Sequence, residues 1–181
     1  MPRHIAFLRG INVGGHRVKM DEVGHLFVGL GFSDVSTFIA SGNVVFESPD
    51  EDCAGLEQTI EGHLETELGY EVATFIRSIT ELQAISAVEP FGTADPNHSL
   101  YVVFLHAPPD DEVRHALSDL RSTFDDFQVE GGEIYWLCRG RLTESPAFKG
   151  GFAKAMGATP TTMRKITTLR RMVAEYATPP G

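Results

Sequence analysis

The chain has only two cysteines, Cys53 and Cys138, in 181 residues, so there is no disulfide framework to propose. No apolar run approaches the ~20 residues of a membrane-spanning helix. The seven histidines (His4, His16, His25, His63, His98, His106 and His115) show no HxH or HxxxH spacing, and no metal site or cofactor is expected. Basic residues are scarce: 15 Lys and Arg against 25 Asp and Glu give a net charge of −10. That balance argues against general nucleic-acid binding, and against duplex DNA in particular. The Walker loop, the GxGxxG fingerprint and the GxSxG elbow are all missing. The short apolar stretch near the N-terminus runs straight into a glycine-rich motif and reads as a strand, not a signal peptide. A cytoplasmic location with no membrane attachment is the default expectation.

What charge there is falls in blocks. Residues 1–20 hold Arg3, Arg9, Arg17 and Lys19 and no acid. Residues 21–138 hold 23 acids and only three basic residues, Arg77, Arg114 and Arg121. Residues 139–171 hold eight basic residues and one acid, Glu144. Solubility alone does not require such segregation, although chance segregation on a surface would also produce it. The hydrophobic content of 42% is ordinary for a globular chain. A chain of this length can bury about 70% of its unfolded surface, enough for one large or two small cores.

The sequence is organised around Arg9-Gly10-Ile11-Asn12-Val13-Gly14-Gly15-His16-Arg17-Val18-Lys19. It follows an apolar run, His4 to Leu8, and precedes a helical pattern from Met20 to Leu30. Three glycines and several cations therefore share one strand-to-helix turn. Glycine allows positive φ and lets backbone N–H groups approach a ligand. The following helix N-terminus favours negative charge. Such a stretch is a candidate anion cradle. Its plain alternative is a connection that needs glycine only for its backbone.

The rest of the first half reads in order. Met20, Val23, Phe27 and Leu30 mark one helical face. Val35 to Ala40 and Val44 to Glu47 are strands joined through Ser41-Gly42-Asn43. Leu56, Ile60, Leu64 and Leu68 form one row of a helix from Asp52 to Leu68, and Val72 to Arg77 is a fourth strand. The order βαββαβ is the ferredoxin-like split unit. A short helix begins at Thr80, and Pro90 to Asn97 is the expected boundary between a unit 1–90 and a unit 91–181.

The second half repeats the pattern. Leu100 to Leu105 is a strand and Asp110 to Leu120 a helix. Phe127 to Glu130 and Ile134 to Cys138 flank the Gly131-Gly132 turn. Pro146 opens a helix carrying Phe148, Phe152 and Met156. This gives βαββα with the last strand missing, followed by a C-terminal helix through Ile166, Leu169 and Tyr176. Of Tyr135 and Trp136, one is expected in the core and the other exposed. Asp125-Asp126 and Asp110-Asp111-Glu112 read as solvated turn and first-turn charges. The fold class expected is α+β, two ferredoxin-like units in tandem with mostly antiparallel sheets.

In a βαββαβ sheet the loop after strand 1 and the hairpin between strands 2 and 3 lie at one sheet edge. Candidate ligand-binding residues are therefore Arg9, Gly10, Asn12, Gly14, Gly15, Lys19, Ser41, Gly42 and Asn43. Ser41 and Asn43 also fit a purely turn-capping role. The motif RGINVGG, then VKM, then SGNVVF at Ser41 to Phe46, resembles a bacterial family known as domain of unknown function 1697. The resemblance implies tandem ferredoxin-like units and carries no activity. It also implies a Thr-x-Arg motif, matched here by Thr162 and Arg164, followed in the family by Asn-Trp. This chain has Lys165 and Ile166 there, so the aromatic that could stack on a base is absent. Thr162 alternatively caps a helix, with Arg164 in its first turn.

These readings favour a binding module for a small anion, a nucleotide or a short RNA segment, as monomer or dimer. An enzyme acting on a phosphorylated or carboxylated substrate is the alternative, although no catalytic constellation stands out. A dimerisation module pairing through an exposed sheet face is the third.

Overall fold

The computed structural model describes residues 1–12, 14–39, 42–93 and 95–177. The chain divides into two compact units, one of residues 1–84 with 172–181 and one of residues 85–171. Each contains a four-stranded antiparallel sheet with helices packed on it, the α+β arrangement of tandem ferredoxin-like units.

In the first unit the strands are β1 (Arg3–Leu8), β2 (Ser33–Thr37), β3 (Asn43–Glu47) and β4 (Thr74–Ser78), in the order β2-β3-β1-β4. Helix α1 (Met20–Gly29) links β1 to β2, and α2 (Cys53–Leu68) links β3 to β4. Register explains the core. Ala6 lies opposite Val44 on one side and Ile76 on the other. These three, with Leu8 and Phe46, meet Val23 and Phe27 of α1 and Leu56, Ile60 and Leu64 of α2. The remaining sheet positions alternate to the second face. There Ile5, Phe7, Val45 and Phe75 are fully buried too. The short helix α3 (Ile79–Ala87) follows β4 directly.

The second unit runs β5 (Ser99–Phe104), α4 (Asp111–Asp119), β6 (Asp125–Glu130), β7 (Glu133–Cys138), α5 (Phe152–Met156) and β8 (Thr162–Lys165). Its order, β6-β7-β5-β8, repeats the first. Helix α6 (Ile166–Tyr176) follows β8 without a break.

Four details differ from the sequence reading. The fourth strand is present: Thr162–Lys165 is β8, paired with β5 with Val102 opposite Arg164 and Phe104 opposite Thr162. Thr162 is thus a strand residue, not a helix cap. Four residues directly abutting a helix leave no run long enough to show period two.

Tyr135 and Trp136 are both buried. Trp136 enters the helix-side core with Phe127 and Phe152, while the Tyr135 hydroxyl donates to the Ile85 carbonyl at 2.7 Å. Alternation separates inside from outside only where one sheet face meets water, and here Val102 and Phe104 bury the second face as well.

The helix expected from Pro146 is broken. A π-type turn spans Ala147–Gly151, with Gly150 at φ 127°, before α5 begins. Phe148 is exposed. The adjacent glycines, poor helix formers, allow the break that an i, i+4 aromatic pattern hides.

Asp125, expected in a solvated turn, is wholly buried. Its carboxylate accepts from Trp136 Nε1 at 2.9 Å, from Ser145 Oγ at 2.7 Å and from the Ala147 N–H at 3.3 Å. It ties β6 to β7 and to the start of the π-type turn. Its neighbour Asp126 does pair at the surface, with Arg121 and Arg139. Removing the Asp125 carboxylate strands three buried donors, each worth roughly 1–3 kcal/mol. Asp125→Ala should therefore lower stability by about 3 kcal/mol or more. Urea unfolding followed by Trp136 fluorescence measures it, and a loss under about 1 kcal/mol contradicts this account of the node.

Candidate functional site

The glycine-rich segment leaves β1 at Leu8. There the backbone is held from both sides. Leu8 N–H donates to the Gly42 carbonyl at 2.8 Å, and Arg9 N–H donates to the Ala73 carbonyl at 2.9 Å. The first bond joins the strand end to the β2–β3 turn, and the second joins it to the entry of β4. The loops around Gly10, Gly42 and Ala73 thus meet at one edge of the sheet, as the strand order requires.

Beyond Arg9 the segment is closed by its own side chains. Ile11 is buried, and its carbonyl accepts from the Tyr70 hydroxyl at 2.8 Å. The Tyr70 ring stacks on His16 with centroids 3.7 Å apart. Asn12 Oδ1 accepts from Val18 N–H at 2.7 Å, drawing the two ends of the glycine stretch together. Lys19 is the N-cap of α1, and its N–H is accepted by Glu22 Oε2 at 3.1 Å. A carboxylate three residues into the helix satisfies one of the donors a helix start leaves open.

The glycines are needed for backbone shape at two places above all. Gly14 has φ 64° with nothing within 4 Å of where a Cβ would stand, so only the dihedral restricts it. Gly42 has φ 80°, and a Cβ there would lie 3.1 Å from the Leu8 carbonyl oxygen. Beside it stands Ile39, a β-branched residue at φ 55° and 45% exposed. A β-branched side chain in that region is strained.

The candidate residues now sort themselves. Arg9, Asn12, Gly14, Gly15 and Lys19 are exposed on one loop, with Gly10 half-buried. Arg9, Arg17 and Lys19 form no ion pair among the described residues. Gly42 is buried against Leu8. Asn43 is fully buried, and its Nδ2 donates to the Phe38 carbonyl at 3.0 Å, the turn-closing role rather than a rim position. Ser41 lies outside the described residues. Thr162 and Arg164 sit on β8 of the second unit. Arg164 Nη1 donates to Thr162 Oγ1 at 2.7 Å and to the Met163 carbonyl at 2.9 Å. Burial lowers the Arg164 guanidinium to about 10, so it remains a cation at neutral pH.

An open groove of about 640 Å³ runs beside the loop, lined by Gly15, His16, Arg17, Glu22, His25 and Tyr70 among others. The part played by the His16–Tyr70 pair was invisible in the sequence, because a ring contact between residues 54 positions apart has no local pattern. Neither thiol is poised for attack: burial pushes Cys53 up to about 11, and it raises Cys138 as well. No cluster of three His, Cys, Asp or Glu side chains suited to a metal occurs among the described residues. No helix among them is long and apolar enough to cross a membrane.

Gly14→Ala should cost about 1 kcal/mol through φ alone. Gly42→Ala adds a steric clash with Leu8, and should lose about 1 kcal/mol more than Gly14→Ala. Urea midpoints of the two variants decide this; equal losses would mean that the Leu8–Gly42 approach carries no weight.

Comparison with known proteins agrees with this architecture. Residues 1–135 match the family model described as "Protein of unknown function (DUF1697)". Among solved structures, the conserved bacterial protein SP0830 from Streptococcus pneumoniae aligns over 98% of this chain and 99% of its own, with a TM-score of 0.74 and 19% identity. Two others are the first two RRM domains of the yeast poly(U)-binding protein Pub1 and an unknown protein from Galdieria sulphuraria. The first covers 89% of this chain and 98% of its own at 12% identity. The second covers 90% and 95% at 8% identity. Their TM-scores, 0.24 and 0.21, are too low to indicate a shared fold. No curated protein matches the chain.

Proposed function

The chain belongs to the DUF1697 family, and we propose that its glycine-rich edge binds a small anionic ligand, a nucleotide or a short RNA segment. The observation that carries this reading is the state of the three cations. Arg9, Arg17 and Lys19 stand on one short loop, exposed and without carboxylate partners among the described residues. Like charges held close repel one another, and a bound anion offsets that repulsion. The positive φ of Gly10, Gly14 and Gly15 lets the loop turn its backbone N–H groups outward, as anion-binding loops do.

Ligand size follows from the remainder of the chain. A strongly acidic central block repels long polyanions, which disfavours duplex DNA. Few phosphates can be neutralised by one loop, so binding should weaken with salt along a shallow slope. The raised thiols offer no activated nucleophile, which favours binding over catalysis.

Titration calorimetry at low salt, with ATP and with a four-nucleotide RNA, tests the reading. Arg9→Ala combined with Lys19→Ala should weaken binding by at least about tenfold, since charge-assisted hydrogen bonds contribute ~1.5–3 kcal/mol each. The variant's urea midpoint should stay unchanged, because both side chains are exposed. Absence of heat from both ligands, or full affinity in the double variant, rejects the proposal.

A further inference from the structure

A second cavity lies wholly within residues 89–170 and takes no part in the site above. It encloses about 380 Å³, within the range of small-ligand pockets. Its floor is apolar. Leu100 of β5 and Leu137 of β7 are register partners, so both point to the same face of the sheet. Phe91 and the buried Ile166 complete that floor. Leu100, Leu137 and Phe91 are only half-buried, which leaves apolar surface available inside the cavity.

Charged residues of both signs line the same space. Arg170 lies in α6, while Glu89 and Asp95 come from the connection between α3 and β5. Lys165 ends β8 opposite Tyr101, so its side chain leaves from the other face of the sheet. The cation and the acids therefore arrive on different segments. Arg170 Nε donates to the Ser86 carbonyl at 3.3 Å, which anchors one side of its guanidinium and leaves the other donors for a ligand. Asp95 Oδ1 accepts from Asn97 N–H at 2.8 Å, and its other oxygen lies 3.8 Å from His98 Nε2. These contacts give the rim a defined shape.

Charge matching selects the ligand class. A simple anion would face Glu89 and Asp95, a simple cation would face Arg170, and a neutral apolar molecule would use only the floor. We propose that this cavity binds a small zwitterion with an apolar body, namely an α-amino acid with a large apolar side chain. Its carboxylate pairs with Arg170, its ammonium with Glu89 and Asp95, and its side chain rests on Leu100, Leu137 and Phe91. Charge-assisted bonds of both signs then orient the ligand while the apolar floor supplies burial.

Calorimetry on the full chain tests this with L-phenylalanine and L-leucine against N-acetyl-L-phenylalanine, L-phenylalaninamide and glycine. Each of the last three lacks one required part: the ammonium, the carboxylate or the apolar body. L-phenylalanine or L-leucine should bind, and each deficient analogue should bind at least about tenfold more weakly. Arg170→Gln and Glu89→Gln should each weaken L-phenylalanine binding by a similar factor. Both side chains are exposed, so the urea midpoint of either variant should match wild type. Arg9→Ala should leave this binding unchanged, which separates the cavity from the glycine-rich edge. No heat from either amino acid at millimolar concentration, equal affinity for the blocked analogues, or full affinity in both variants overturns the proposal.

Discussion

The bond from Leu8 N–H to the Gly42 carbonyl is the constraint on which the glycine-rich edge depends. It can form only because β3 lies beside β1, so that the β2–β3 turn ends where β1 ends. Glycine is favoured there, since φ 80° strains any side chain and a Cβ would stand 3.1 Å from the Leu8 carbonyl oxygen. On the far side, Arg9 N–H is held by Ala73, at the entry to β4. The chain therefore leaves the sheet from a point fixed in two directions. Asn12, Tyr70 and Glu22 then close the segment at its start, middle and end. Arg9, Arg17 and Lys19 stay in solvent.

The second unit repeats this topology without the chemistry. Its β5 is followed by residues 105–110, which contain no glycine, and α4 is capped by Asp110, whose Oδ1 accepts from Val113 N–H. The corresponding edge of the second unit thus lacks both the glycines and the cations of the first. The polar feature of this unit is instead internal, the Asp125 carboxylate joining Trp136 to Ser145. Repetition here is a property of the fold, and the two units differ in the polar groups they carry.

Much of this was legible in the sequence wherever one physical rule dominated locally. The i, i+4 rows of Leu56, Ile60 and Leu64, the Gly131-Gly132 hairpin and the strand order that brings Gly10 to Gly42 all follow from periodicity and turn chemistry. The misreadings share another cause: long-range burial overrode a local pattern. Asp125 looks like a turn residue until Trp136 Nε1 and Ser145 reach it from distant positions. Tyr135 and Trp136 look like an inside–outside pair until both sheet faces prove dry. Strand β8 is too short to announce itself, and its Thr162–Arg164 pair makes sense only beside β5. The cavity under the 89–99 connection was equally hidden, because its floor comes from four separate segments.

The central claim is that the glycine-rich edge is a single preformed anion site. Amide-resolved NMR of the full chain during titration with ATP tests it most directly. The account predicts shifts concentrated in residues 9–19 together with Gly42 and Tyr70, saturating with one binding constant. Shifts spread over both units, or none at the amides of residues 9–19 while ATP binds elsewhere, would contradict it.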